Sequence, residues 1–597
     1  MRSATLFSVW TAGARASIVR RVGRFWGKGH RMLHVLRDYA FVGDGERGAL
    51  IGPHGDLAWM CFPSWESPPV FAGLLGGAGR YVVCPVAERR VWGGYYEESG
   101  LVWRSRWGVP GGVVECHEAL VSPAETGRAV VLRRIFGVHG TARVRVTFGL
   151  AGGERHWTDG SWAGRDGDLF FRWTGAPESA SGWPLTFDVE LREGETRDLV
   201  LELATQPVKG SSGAPDGLWE QTRADWEARI PDCSDTVAPR DARLAYAVLS
   251  GLTSSGGGMA AAATTSLPEH LAGSRNFDYR YAWIRDQCIA GQAVAAHGGQ
   301  LALLDAATGF VADRLVQDGA GMHPAYTVSG GMIPGEHPAG LPGYPGSEAV
   351  YGNRVIKQFQ LDVFGEALLL FAAAARHDRV DAHIAEAAAA AVRAIGERWR
   401  EADYGVWETE LRCWMHSRLV CAAGLRRAAP VVAARKDRAA WEDLADLLLD
   451  ETARTSLDDR DGWQRAADDD RVDAALLLPA LRGAFPPDDP HMAATYRRVR
   501  AELEQEGYVY RYRVDRRPLG DIEGAFTLCG FMMAMADLQH GERELAVGQF
   551  ERTRSACGAT GLFTEEYDVR QRQVRGNLPQ AFVHALFLET ATRLAAR

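Results

Sequence analysis

The spacing of apolar residues changes once along this chain, near residue 236, and that change limits what it can become. Up to about residue 205, short stretches alternate or run apolar. Ala129-Val-Val-Leu-Arg-Arg-Ile-Phe and Val144-Arg-Val-Thr-Phe-Gly-Leu are examples, and Gly, Pro and Asp turns separate such stretches. A period of two broken by turn residues predicts antiparallel strands. Residues 215–230 then read as a connecting helix with Trp219 and Trp226 on one stripe. Beyond residue 236 the period is helical. Twelve segments start near Arg240, Tyr281, Gln300, Gln358, Ala382, Met415, Arg438, Val472, Met492, Glu523, Arg543 and Pro579. The expected fold is therefore multidomain β + α: an N-terminal antiparallel β-sandwich followed by an (α/α)6 barrel. A chain of 597 residues exceeds what one core supports. The expected divisions are a basic extension over 1–31, the sandwich over 32–213, a helical linker over 214–238 and the barrel over 239–597.

Twelve helices of alternating direction place every odd-to-even connection at one end of a ring. These are also the longest connections, over residues 253–278, 317–357, 401–414, 507–522 and 558–578. Long ordered loops usually serve function, so chemistry is expected at that mouth. Composition narrows the class. A net charge of −9 argues against general nucleic-acid affinity, which needs clustered Lys and Arg. Nineteen Trp suit a sugar-binding protein, since sugar C–H faces pack on aromatic rings, although most Trp in any chain belong to its core. Nine Cys without a CxxC pair fit a reducing compartment and neither a disulfide framework nor a zinc site. A cytoplasmic location is expected, with no membrane partner and no span. Self-association stays open. Residues 1–31 carry Arg and Lys but no acid and no secretory apolar stretch, so they read as an extension or as lying before the true start at Met32.

Four motifs fall at the expected mouth. Asn276-Phe-Asp-Tyr-Arg-Tyr-Ala-Trp-Ile-Arg285-Asp286 enters the second helix. Its adjacent Arg285 and Asp286 can donate to and accept from vicinal sugar hydroxyls, and Tyr279 and Trp283 offer ring faces; a buried structural ion pair is the equal alternative. Asp403-Tyr-Gly-Val-Trp407-Glu408 follows the fifth helix, with Glu410 and His416 close behind. A Glu beside a Trp can be desolvated, which raises its pKa and makes it a proton donor. Gly561-Leu-Phe-Thr-Glu565-Glu566-Tyr-Asp568 follows the eleventh helix, and Asp521-Ile-Glu523-Gly-Ala-Phe526 opens the tenth. Glycoside hydrolysis with inversion needs one carboxyl to protonate the leaving oxygen and another to activate water, roughly 6.5–9.5 Å apart. Glu408 as acid and Glu565 as base are the pair this pattern selects, with Tyr279, Trp283, Arg285, Asp286, Trp407 and Glu523 as substrate contacts and no metal ligands.

These residues carry a resemblance. Ala263-Thr-Thr-Ser-Leu-Pro-Glu269, the run from Arg275 to Asp286, Gly352-Asn353, the run from Gln360 to Glu366, Trp407-Glu408, Glu523-Gly-Ala-Phe and Gly576-Asn-Leu-Pro-Gln-Ala-Phe-Val-His584 resemble the bacterial branch of glycoside hydrolase family 15. The stretch from Asp56 to Phe71 resembles the start of its β-sandwich. The similarity runs from about Leu36 to the C-terminus. It implies an inverting exo-acting α-glucoside hydrolase that releases β-glucose from a short α-glucan or disaccharide. It places the acid on Glu408, the base on Glu565, and the terminal-glucose subsite on Arg285, Asp286 and the Tyr279 platform. No cofactor is implied for most members; some trehalases of the family depend on phosphate and magnesium. Departures are a stretch after Glu408 about two residues shorter, unusual Gln287 and Cys288, and an acidic run at Asp468, Asp469 and Asp470 read as a solvated loop. The alternative function is trehalase. A disaccharide phosphorylase would need only one carboxyl, which the candidate base argues against, and a non-catalytic sugar binder would need neither.

Overall fold

The computed structural model describes residues 35–208, 210, 213–270, 275–345, 347–457, 462–515 and 517–596, so the extension expected over 1–31 lies outside the described residues. The strands of the first part are antiparallel. Ala40–Gly43, Gly48–Ile51, Leu57–Cys61 and Pro69–Phe71 pair in sequence order as one sheet. The larger sheet is organised by Arg128–Gly149, a single strand of 22 residues. At about 3.3 Å per residue it would span about 70 Å, too long to stay within one flat layer. Its first half pairs with Thr196–Ala204 and its second half with Leu185–Arg192 and Arg80–Pro85. Between the halves, neighbouring strand Gly112–Leu120 shifts register, Val114 facing Gly137 and Val113 facing His139, a bulge that turns one strand into a member of two layers. Tyr81, Trp103, Trp107, Phe148 and Trp173 fill the space between them.

A linker helix, Pro215–Arg229, buries Trp219 and Trp226 on one face, as the stripe predicts. Twelve barrel helices follow among the described residues. They are α1 (Pro239–Leu252), α2 (Ile284–His297), α3 (Ala302–Asp318), α4 (Asp362–Ala375), α5 (Ala382–Arg398), α6 (Met415–Ala428), α7 (Arg438–Ser456), α8 (Leu477–Leu481), α9 (Pro490–Leu503), α10 (Thr527–Gln539), α11 (Arg543–Arg554) and α12 (Ala581–Ala595). The even helices pack side by side into a closed inner ring, α12 against α2, and the odd ones lie outside. The sequence explains the division. The inner α4 is buried along almost its whole circumference, whereas the outer α5 buries Ile384, Ala387, Ala388, Ala391, Ala394 and Ile395, one stripe of a 3.6-residue period. Asp381 starts α5 by accepting from the Ile384 amide at 2.9 Å. Gly365 of α4 and Gly424 of α6 let these inner helices approach until a Cβ on Gly424 would stand 2.5 Å from the Gly365 carbonyl oxygen.

Several inner helices begin three to five residues later than the periodicity suggests. Before α2 and α10 the apolar residues form two-residue strands instead. Ala282–Trp283 pairs with Ala325–Tyr326, and Ala525–Phe526 pairs with Glu566–Asp568, which continues to Gln573–Arg575. These short ladders stitch neighbouring loops together across the mouth. The sandwich reaches the same region from behind. The Trp59 indole donates to the Ala263 carbonyl at 3.0 Å. Arg280, fully buried, grips Asp278 with two nitrogens and donates to the Trp65 and Ser67 carbonyls at 3.2 and 2.9 Å. No helix among the described residues is long and apolar enough to cross a membrane.

Candidate active site

The five long outer-to-inner connections meet at one end of the barrel, around a cavity of about 570 Å³. Glu408, Glu565, Tyr279, Trp283, Arg285, Asp286 and Trp407 all line it. Glu408 and Glu565 therefore reach one space from loops far apart in sequence.

Glu408 sits at the tip of a closed loop. Asp403 and Arg412 exchange backbone hydrogen bonds of 2.8 and 3.0 Å at its base. The buried Asp403 carboxylate accepts from the Gly405 amide, the Ser417 hydroxyl and the Arg418 guanidinium, which fixes the root of the loop to α6. At the tip Glu408 holds a left-handed backbone conformation, φ +55°, a strain of about 1 kcal/mol or more for a residue with a Cβ. Its Oε1 accepts from the Trp283 indole at 2.8 Å and from Arg285 Nη2 at 3.2 Å. Both donors stand on one oxygen, so Oε2 is the atom left for a substrate.

Trp407 is not the ring that holds the Glu408 carboxylate; Trp283 is. Trp407 turns its N–H to Asp473 at 2.8 Å and its ring edge to Phe526, and 21% of the Glu408 side chain stays open. Burial acts on two acids deeper in the pocket. It pushes the Asp286 carboxyl up to about 7, against the opposing charge of Arg285. It also pushes Glu565 up, and Glu269 adds its own negative charge; Arg511, Tyr279 and Arg275 oppose.

Glu565 is placed by the strand Glu566–Asp568 that follows it. The Glu565 carbonyl accepts from the Thr527 amide at the start of α10. Side chains alternate along such a ribbon. Glu565 faces the cavity and accepts from the Tyr279 hydroxyl at 3.0 Å, while Glu566 points away and accepts from the Gly524 amide at 2.7 Å. Tyr279 is stacked on Phe277 and meets Trp283 edge-on at 5.4 Å between centroids. Tyr279 and Trp283 thus form one corner whose two polar tips hold the two candidate acids. Arg285 reaches Gln360 as well, and its Nε lies 3.6 Å from Asp286.

Glu523 does not line the cavity. It lies one layer behind, bound in a fork by Arg511 at 2.6 and 2.7 Å and paired with Arg275. Both of its oxygens are taken up by these guanidiniums. Here Arg511 and Arg275 are the groups at the wall. Neither was selected from the sequence, nor were Glu269, Asn353, Arg354, Lys357 and Gln580, which also line the space. Arg511 had a readable signal: a charged residue inside Tyr508-Val-Tyr-Arg-Tyr, in one of the long connections. Gln287 serves the loop before α2, bonding to Met259 and Gly257 backbone, and Cys288 is buried. Asp468 pairs with Arg412, and Asp469 with Arg471. No cluster of three His, Cys, Asp or Glu able to hold a metal ion is present among the described residues.

Known proteins resemble this chain over both the strand part and the helical part. Residues 21–151 match the trehalase-like N-terminal domain, and residues 244–592 match glycosyl hydrolases family 15. A trehalase of Mycobacterium tuberculosis is 28% identical over 612 residues, spanning 94% of this chain and 89% of that protein. Trehalase 1 of Sulfolobus acidocaldarius is 27% identical over 580 residues, spanning 93% and 98%. A bacterial glucoamylase solved with acarbose superposes with a TM-score of 0.69 at 11% identity over 94% of each chain, which shows a shared fold. Since the matched stretch takes in more than half of the chain and runs from within α1 to within α12, this protein belongs to glycoside hydrolase family 15.

Proposed function

We propose that this α-glucoside hydrolase is a trehalase, cutting the bond between the two glucoses of trehalose with inversion at one anomeric carbon. The carrying observation is the pair of carboxylates on separate supports facing one small cavity: Glu408 on Trp283 and Arg285, Glu565 on Tyr279. Relatives matched across both the sandwich and the barrel are named trehalases, which favours the disaccharide over a longer glucan. A cavity of about 570 Å³ is in the range of a small-ligand site.

In this reading Arg285 and Asp286 hold hydroxyls of the terminal glucose against the Tyr279 ring. Glu408 gives its proton to the bridging oxygen as the C–O bond breaks. Glu565 takes a proton from the water that forms the new C–O bond on the opposite face. One glucose leaves as the β anomer and the other keeps its α configuration.

Separate Glu408→Gln and Glu565→Gln variants should each lose about 10²–10⁴-fold in kcat with the fold intact. Proton NMR of fresh product from trehalose should show β- and α-glucose in equal amounts. Near-normal turnover in either variant removes that residue from its role, and α-glucose alone would refute inversion. A panel of maltose, isomaltose, kojibiose, nigerose and starch tests the substrate. Faster cleavage of any of these than of trehalose would overturn the trehalase assignment. Formation of glucose 1-phosphate in phosphate buffer would replace hydrolysis by phosphorolysis.

A further inference from the structure

We infer that Glu269 is a positioning residue that shares the Tyr279 hydroxyl with Glu565 and so sets how readily Glu565 takes a proton from water. This rests on the proposal that Glu565 is the base.

The geometry is a hydroxyl with one proton between two carboxylates. Tyr279 Oη lies 3.0 Å from Glu565 Oε2 and 3.4 Å from Glu269 Oε1. It can donate to only one of them at a time. Glu269 cannot drift from this place. Its amide donates to the Arg275 carbonyl at 3.2 Å, and the preceding Pro268 carbonyl accepts from the Gly576 amide at 3.0 Å. Its other oxygen lies 3.0 Å from Arg275 Nε, and the whole residue is 4% exposed.

The charges around Glu565 come from four elements. The loop before α2 brings Glu269, Arg275 and Tyr279; the loop before α10 brings Arg511 and Glu523; Glu566 is the chain neighbour; Glu408 stands on the loop before α6. Two guanidiniums thus face several carboxylates, and neither is dedicated to Glu565. Arg511 spends its fork on Glu523, and Arg275 is divided between Glu523 and Glu269. Glu269 therefore stands as a second buried carboxylate close to the base; burial pushes its own carboxyl up, and Arg275 and Arg511 oppose this. Burial and the charge of Glu269 both favour the protonated form of Glu565.

The role in turnover follows. When water attacks, its O–H bond breaks and the proton settles on Glu565. A protonated Glu565 is a poorer acceptor, so the Tyr279 hydroxyl turns to Glu269 without the ring moving. The hydroxyl thereby stabilises the ionised base before attack and the ionised neighbour after it. A purely structural Glu269 would hold Arg275 and leave proton transfer alone.

The test is kcat/KM on trehalose against pH for the wild type, Glu269→Gln, Glu269→Asp and Glu565→Gln. The acid limb reports ionisation of the base. Removing the neighbouring charge eases that ionisation, so in Glu269→Gln the limb should move to lower pH, by about one unit, while the plateau falls. Should Glu269→Gln fail to fold, Glu269→Asp carries the test, because it withdraws the carboxylate by one methylene and should shift the limb in the same direction by less. An acid limb at the wild-type position in the folded variant overturns the inference, whatever happens to the rate. Glu565→Gln separates the two levels. If it keeps wild-type turnover, the assignment of the base falls. If it is inactive and the Glu269 limb stays fixed, only the role of Glu269 falls.

Discussion

Replacing Trp283 by Phe removes one N–H group and keeps most of a buried ring. The indole donates to Glu408 Oε1 at 2.8 Å, packs beside Tyr281, Ala325 and Val355, and meets Tyr279 edge-on. A phenyl ring fills most of that volume, so the corner formed with Tyr279 should persist. What disappears is a hydrogen bond to a charged group, worth about 1.5–3 kcal/mol. Arg285 remains on the same oxygen at 3.2 Å, so the carboxylate keeps a partner and loses its fixed rotation. In the proposed reaction Glu408 gains negative charge as it gives up its proton, so the Trp283 bond strengthens toward the transition state. The loss should then fall on kcat and on kcat/KM alike, by about 10- to 100-fold, with KM nearly unchanged. Initial rates of glucose release from trehalose over a range of concentrations measure both. A change under threefold, or a rise in KM alone, would refute the idea that Trp283 orients the acid and leave it as a wall of the pocket.

Two further outcomes concern the frame around the site. Glu589 of α12 is buried between Arg482 and Arg593, at 2.8 and 2.7 Å. Burial alone would push it up, but the two cations outweigh this and hold its carboxyl down to about 2. A depressed acid stabilises the fold above the unfolded value near 4 and loses that contribution as pH falls toward 2. Glu589→Gln leaves Arg482 buried without its counter-charge and should cost about 3–5 kcal/mol in denaturant unfolding at pH 7; a cost under about 1 kcal/mol would contradict the pairing. Asp362 at the start of α4 behaves in the opposite sense. It is fully buried, its oxygens lack partners among the described residues, and burial pushes its carboxyl up to about 7. A raised acid penalises the fold increasingly as pH climbs from about 4 to 7. Asp362→Asn should therefore raise Tm at pH 8, with a gain of at most about 4 kcal/mol, and by much less at pH 5. Equal gains at both pH values would show that ionisation is not the cause.

The barrel was legible because its two rings leave different traces. Outer α5 shows a stripe, inner α4 is apolar nearly throughout, and both signals survive without neighbours in view. The two-residue strands at the mouth were not legible, since Ala282–Trp283 and Ala525–Phe526 read as the first turn of the helices they precede. Site residues followed a similar rule. The acids on the long connections could be placed at one end by topology alone. Which of them faces the cavity depends on partners distant in sequence. Arg511 and Arg275 draw Glu523 behind the wall, and nothing near Glu523 in the chain announces that. For Glu408, adjacency in the chain points to Trp407, but the indole that bonds its carboxylate belongs to Trp283, 125 positions away.

Arg280 gives the sandwich a stake in the chemistry. Its guanidinium is satisfied partly by carbonyls of Trp65 and Ser67, and the next residue toward the N-terminus is Tyr279. The helical ring is therefore not a self-sufficient enzyme with an ornament attached. Cut away from the strands, it would keep every acid and the Arg280–Asp278 pair, yet the Arg280 donors that now meet the Trp65 and Ser67 carbonyls would be left unpaired directly behind Tyr279.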